Sequence, residues 1–211
     1  MLVRVGAEED LEALTDMYNH YILESPATFD TEPFTPEERR DWLLSHIEDG
    51  PYRLLVAQQR QIAGNDADET GDSVRSAGTA AAVGDRGTGA TSGRPCRSGR
   101  SGRSGQILGY ATSSQFRPRR AYDTSVEVSC YLAPGAAGRG LGTLLYKHLF
   151  EALEGQDLHR AYAGITVPND ASVRLHQRFG FELVGTYREA GRKFGRYYDV
   201  QRYEKALGPT T

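Results

Sequence analysis

VEVSCYLAPGAAGRGLGT, residues 126–143, reads as a strand, a glycine-rich turn and the start of a helix. The strand alternates: Glu127, Ser129 and Tyr131 share one face, and Val126, Val128, Cys130 and Leu132 share the other. The turn Gly138-Arg139-Gly140-Leu141-Gly142-Thr143 follows. Glycines let a backbone approach a ligand closely, and the free N–H groups of a first helical turn form an anion site. The turn lacks the Gly-Lys-Ser/Thr ending of a nucleotide-hydrolase phosphate loop, and it is too short for a dinucleotide fingerprint. A glycine-rich turn alone is also simply a helix start; a strand bearing a carboxylate just before it makes the anion-site reading sharper.

Outward from this stretch the pattern stays dense. Leu2 to Val5 reads as a first strand, and Leu11, Leu14, Met17, Tyr18, Tyr21 and Ile22 recur at helical spacing. Thr35-Pro36-Glu37-Glu38 is a capping box with proline at the first helical position, and it predicts a second helix. Strands are expected at Tyr52–Gln58, Ile107–Gln115 and Ser125–Leu132, and a helix along LGTLLYKHLFEALEG. A strand at Ala161–Thr166, a short helix at Ala171–Phe179 and two strand-like runs, Phe181–Tyr187 and Tyr198–Glu204, close the chain. The order β-α-α-β-β-β-α-β-α-β-β implies an α/β fold, a mixed sheet with helices on both faces.

One segment does not fit. From Gly64 to Gly105 there is no Leu, Ile, Phe, Tyr, Trp or Met, and the window holds ten of the 24 glycines. It cannot bury enough apolar surface to offset its ordering entropy, so residues 64–105 are expected to be a disordered Gly/Ser/Arg insertion at a hairpin tip, within a single domain spanning 1–211. It reads either as an inert insertion or as a basic docking arm, and Cys96 within it as an exposed thiol without a catalytic part. The chain's 25 basic and 28 acidic residues give a net charge of −3, which disfavours nucleic-acid binding. No stretch approaches a membrane helix, MLVRVGAEED is not a secretory signal, and two cysteines make no disulfide framework, so a cytoplasmic setting is expected. No cysteine or histidine spacing suggests a metal site.

The chain resembles the GNAT N-acetyltransferases, and most narrowly their phosphinothricin and methionine sulfoximine acetyltransferase branch. Residues carrying the resemblance are Tyr18-Asn19-His20, Ala27-Thr28-Phe29-Asp30, Phe116-Arg117-Pro118-Arg119, Ala121-Tyr122-Asp123, Val126-Glu127, Pro168-Asn169-Asp170-Ala171-Ser172-Val173-Arg174-Leu175-His176, Gly180-Phe181 and Gly191-Arg192-Lys193-Phe194-Gly195-Arg196. They span nearly the whole chain outside the insertion. The resemblance implies acetyl-CoA as co-substrate, no metal, a small-molecule amine as acceptor, and a homodimer. It departs at Ala137, where the superfamily turn usually has Gln or Arg, and Arg139 is the substitute cation.

By the resemblance, Glu127 is the general base; otherwise it is a strand glutamate pairing with an arginine of the neighbouring turn. His176 shares in proton transfer, or is a polar group on a helix face, as His20, His46, His148 and His159 are read to be. Cys130, Tyr131 and Leu132 offer backbone N–H groups to the pantetheine and thioester oxygen. Gly138, Arg139, Gly140, Leu141, Gly142 and Thr143 take the pyrophosphate, and Asn169 and Ser172 the pantetheine arm, Asn169 reading equally as a helix cap. Arg117, Pro118 and Arg119 meet the acceptor's acidic groups, or form a solvated basic loop. Phe29 walls the acceptor pocket or belongs to the core, and Val128 and Ser129 complete the acceptor site. Two alternatives stay open: an acetyltransferase for another amine (polyamine, aminoglycoside or protein amine), and a CoA-binding scaffold that docks partners through the 64–105 arm.

Overall fold

In the computed structural model, which describes residues 1–46, 48–60 and 105–208, the alternation at residues 125–132 becomes the strand on which two hydrophobic layers divide. The elements run β1 (Leu2–Val5), α1 (Leu11–Glu24), α2 (Pro36–Leu44), β2 (Arg53–Gln58), β3 (Ile107–Gln115), β4 (Ser125–Leu132), α3 (Leu141–Leu153), β5 (Arg160–Val167), α4 (Asp170–Arg178), β6 (Glu182–Lys193) and β7 (Arg196–Ala206). Seven strands form one sheet in the order β1-β2-β3-β4-β5-β7-β6. Every pair is antiparallel except β4–β5, which α3 joins as a crossover.

On one face Val126 and Val128 of β4 pack with Leu141, Leu145, Tyr146 and Leu149 of α3. On the other, Leu14 and Met17 of α1 and Leu43 of α2 cover Leu54, Val56 and Tyr110, with Tyr131 against them. Strand β2 is buried along its whole length. The Thr35 hydroxyl accepts from the Glu38 N–H and the Glu38 carboxylate accepts from the Thr35 N–H, so the capping box forms as the sequence dictates.

The closing hairpin differs from the sequence reading: β6 and β7 are 12 and 11 residues long and run to the Phe194-Gly195 turn. The side chains of β6 are mostly exposed and those of β7 mostly half-buried and of mixed polarity, so apolar alternation marks only part of the paired length, while the backbone ladder continues to Lys193↔Arg196. Lys193 points inward and donates from Nζ to the carbonyls of Ser25 (2.9 Å) and Thr28 (2.7 Å), which ties the hairpin to the loop after α1. Residues 64–104 of the expected insertion, with Cys96, lie outside the described residues.

Candidate active site

Strands β4 and β5 pair only at Ser125↔Arg160, Val126↔Ala161 and Glu127↔Tyr162. Both strands then continue for five residues without pairing with each other, so they diverge and leave a wedge between them. This wedge is a cleft of about 310 Å³. Val128, Ser129, Cys130, Tyr131 and Leu132 line one wall and Gly164, Ile165 and Thr166 the other, with Asn169, Ser172 and His176 of the α4 region closing one side.

The cleft reaches the glycine turn at Pro134, Gly135 and Ala137. Gly135, Gly138 and Gly140 have φ of +76°, +76° and +77°, and a Cβ at any of them would meet nothing within 4 Å. Left-handed backbone, not crowding, demands glycine there, and the surface over the turn is open. The first intrahelical bond of α3 is Leu144 N–H to the Gly140 carbonyl (3.0 Å), so the N–H groups of Leu141, Gly142 and Thr143 have no acceptor within the helix. Gly142 itself serves packing: its Cβ would sit 3.0 Å from Leu175 of α4. Arg139 is exposed, and Arg178 reaches over from α4 to donate to the Thr143 hydroxyl (3.2 Å). A pyrophosphate at this turn would therefore meet backbone N–H groups and two guanidinium groups, so the donor set fits the expected co-substrate despite Ala137.

Asn169 caps α4, its Oδ1 accepting from the Ser172 N–H (3.2 Å), while its side chain also lines the cleft. The Leu132 backbone is engaged: the Tyr21 hydroxyl donates to its carbonyl (2.9 Å) and accepts from its N–H (3.3 Å). Burial pushes the Cys130 thiol up to about 12, which leaves it an un-ionised wall of the cleft.

Glu127 is partly exposed, and its Oε1 accepts from Arg202 Nη1 (2.8 Å). The arginine comes from β7, beyond β5, and not from the neighbouring turn. It crosses β5 at Gly164, where an added Cβ would lie 2.6 Å from Arg202 Nη1. His176 is buried, with its Nδ1 facing the Ser172 carbonyl (2.8 Å) and its Nε2 facing the Tyr146 hydroxyl (2.8 Å). A carbonyl only accepts, so Nδ1 carries the proton and Nε2 accepts from Tyr146. Burial lowers the His176 pKa, against the Ser172 bond that raises it.

A second cleft of about 250 Å³ lies on the α1–α2 face of the sheet. Its floor is the cross-strand pairs Thr112↔Ser129 and Tyr110↔Tyr131, with Ser114, which pairs with Glu127. Tyr18, Asp30, Phe34, Glu38, Arg39 and Trp42 form its walls. Ser129 and Tyr131 line both clefts, so the two meet there, one register step from Glu127.

Arg117, Pro118 and Arg119 are exposed and line neither cleft; Arg117 stacks on Phe116 (4.6 Å), which in turn stacks on Tyr162 (4.2 Å), the parallel partner of Glu127. Phe29 also lines neither cleft and lies on Gly191, where a Cβ would approach its ring to 2.3 Å. His20, read from sequence as a helix-face or surface polar group, is exposed on α1 and also lines the first cleft. Sequence reasoning missed Arg202, Arg178, Arg39 and Tyr110, each of which reaches its place from a distant part of the chain. Among the described residues no cluster of His, Cys, Asp or Glu is arranged to hold a metal ion.

Comparison with known proteins agrees with this geometry. A family model described as the Acetyltransferase (GNAT) domain matches residues 100–201. The chain is 56% identical over 205 residues to a phosphinothricin N-acetyltransferase of Streptomyces coelicolor, covering 97% of this chain and 95% of that one. It is 52% identical to an N-acetyltransferase of Streptomyces griseus, covering 98% and 86%. Among solved structures, a GNAT phosphinothricin acetyltransferase from Sinorhizobium meliloti in complex with AcCoA superposes with a TM-score of 0.73 at 26% identity, covering 98% of this chain and 88% of that one. With a splayed β4–β5 pair, an open glycine turn at a helix start and full-length identity above one half, the chain belongs to the GNAT acetyltransferase family, among its phosphinothricin N-acetyltransferase-like members.

Proposed function

We propose that this protein transfers the acetyl group of acetyl-CoA to the α-amine of a small amino-acid analogue of the phosphinothricin or methionine sulfoximine type, a reaction that would confer resistance to such compounds. The observation that carries the reading is the meeting of two clefts at Ser129 and Tyr131, beside Glu127.

Acetyl-CoA supplies the acetyl group as an activated thioester. In this reading the α3 N-terminus with Arg139 and Arg178 holds its pyrophosphate, and Asn169 and Ser172 border its pantetheine arm. Backbone N–H groups of β4 facing the wedge donate to the carbonyl oxygen, where charge develops. Glu127 takes the proton of the acceptor's ammonium through the oxygen that Arg202 leaves free, which makes the amine a nucleophile; as the C–N bond forms at the thioester carbon the C–S bond breaks, and the departing thiolate takes the second proton of the attacking nitrogen. For His176, with both ring nitrogens engaged, we infer a positioning part: it holds α4 against Tyr146 of α3.

We infer a homodimer as well. Leu183, Val184, Tyr187, Phe194 and Tyr197 of the β6–β7 hairpin are each more than half exposed, a patch that suits a second copy. Arg117 and Arg119 serve the acceptor only if a second chain completes the pocket around them. Sedimentation velocity checks this, and a fully active monomer would remove it. The half-buried free thiol of Cys130 accords with a reducing cytoplasm.

The test of the reaction is thiol release from acetyl-CoA with L-phosphinothricin, L-methionine sulfoximine, L-methionine sulfone, an aminoglycoside and a lysine peptide as separate acceptors. Release with the first three alone supports the reading. Release with the cationic acceptors alone replaces the substrate class and keeps the chemistry.

A further inference from the structure

The second cleft contains a guanidinium that, among the described residues, makes no ion pair with a carboxylate. Arg39 is buried, at 6% exposure. Its guanidinium lies between the rings of Trp42 (3.9 Å) and Tyr18 (4.3 Å), and Nη1 donates to the Leu14 carbonyl (3.2 Å). The two carboxylates in the same lining are committed elsewhere. Asp30 accepts from the hydroxyls of Tyr18 and Thr28, and Glu38 from the backbone and hydroxyl of Thr35. Burial, and the bond to Asp30, push Tyr18 up to about 12, so its hydroxyl stays a donor to Asp30.

Beside Arg39 stands Tyr110, at 1% exposure, its O–H without an acceptor among the described residues. The guanidinium acts on its oxygen by charge and as a hydrogen-bond donor, but arginine has no acceptor to offer the hydroxyl's proton. The Tyr110 O–H therefore lacks an acceptor and the Arg39 cation an ion-pair partner among the described residues, and both line the same cleft. An anionic oxygen satisfies the two at once.

We propose that Arg39 and Tyr110 form a subsite for the side-chain acidic group of the acceptor, a phosphinate or a comparable anion, and so set the enzyme's preference for acceptors charged at their far end. This rests on the acetyl-transfer reading above. An amine placed at Ser129, where the clefts meet, lies one register step from the Tyr110↔Tyr131 pair, about 7 Å along the strands. The α-carboxylate shares a carbon with the amine and stays near the reacting end. A group three bonds further along the side chain is the one that reaches Arg39.

The experiment compares L-phosphinothricin, with an anionic side-chain end, and L-methionine sulfone, with a neutral one, on the wild type, Arg39→Gln and Tyr110→Phe. For Arg39→Gln the expected result is a KM for phosphinothricin raised at least tenfold, with kcat, the acetyl-CoA KM and the sulfone KM within about twofold. Tyr110→Phe, which keeps the ring in the core, raises the phosphinothricin KM several-fold and spares the sulfone. Equal changes for both acceptors, or none, overturn the subsite. If the wild type turns over neither, the acetyl-transfer reading fails separately, and calorimetric binding of phosphinothricin decides. Binding weakened in Tyr110→Phe sustains the subsite; binding absent from the wild type, or unchanged in both variants, overturns it.

Discussion

Glu127 shows how a residue is both legible and incomplete in a sequence. Its place on the strand before the glycine turn marks the carboxylate, but its partner Arg202 is 75 positions away and reaches it only because Gly164 leaves room on the intervening strand. No local pattern encodes that crossing. Glu127→Gln is expected to lower turnover at least tenfold with acetyl-CoA binding intact, checked by steady-state rates and calorimetry. Arg202→Ala frees the carboxylate to rotate, and because the pair is partly solvated the loss is about fivefold in kcat. The KM for acetyl-CoA should stay unchanged, and Arg202→Lys should recover part of the rate; a Tm fall with no kcat change would assign the pair to stability alone. His176 was equally visible in the sequence, but whether its nitrogens face a substrate or the core depends on Tyr146, contributed by another helix. Burial depresses its folded-state pKa, so below about 6.5 the unfolded ring takes up a proton that the folded ring resists. Its contribution to stability is therefore full above that pH and is lost as the pH falls towards the folded value. Tm should drop between pH 7.5 and 5.5, and His176→Gln should shrink that drop, with His46, also depressed by burial, keeping some of it.

At the scale of elements, the helices and the inner strands follow from periodicity and caps, and their bounds fall within a residue or two of those expected. What periodicity does not carry is the extent of β6, whose side chains are largely exposed, and of β7, whose half-buried side chains are of mixed polarity. Nor does it carry the orientation of the basic run at residues 191–196. Three of its side chains are arginine or lysine next to glycine and phenylalanine, and nothing in their order marks one of them as buried. Instead Lys193 is buried at 4% exposure and serves as an anchor between hairpin and loop. Desolvation lowers its pKa, and the carbonyl partners keep the ammonium hydrogen-bonded. Lys193→Met keeps much of the volume but leaves the Ser25 and Thr28 carbonyls without that donor. A loss of about 2–3 kcal/mol is expected, from charge-assisted bonds removed inside a buried site. Denaturant titration at pH 7.5 reads it, and limited proteolysis should open the chain first at residues 25–30. A variant as stable as the wild type would show that the hairpin holds without its anchor.

For the whole molecule, the question is whether the long excursion between β2 and β3 belongs to the working enzyme. The two strands pair from Arg53↔Ser113 to Gln58↔Ile107. The ladder is closed beyond that by Gln59 N–H to the Gln106 carbonyl (2.9 Å), and the Gln58 side-chain amide donates to the Gly105 carbonyl (2.7 Å). Gly105 approaches so closely that a Cβ would lie 2.0 Å from the Gln59 carbonyl oxygen. The chain thus leaves and re-enters the sheet at adjacent points, a gap that a two-residue turn can span. Strand β2 is buried throughout, its side chains shared between the cluster with α3 and the cluster with α1 and α2. Replacing residues 61–104 by Asn-Gly should therefore keep the sheet. Closing a loop of a few residues in place of one of more than forty lowers the entropy cost by about 2 kcal/mol, because that cost grows with the logarithm of length. The expected outcome is a Tm raised by a few degrees, with kcat and both KM values within twofold of the full chain. A shortened protein that is insoluble, or slower by tenfold or more, would make the excursion part of the catalytic domain. A shortened protein with normal rates that loses a binding partner captured by the full chain would assign it to docking, because both clefts lie on elements that the deletion leaves in place.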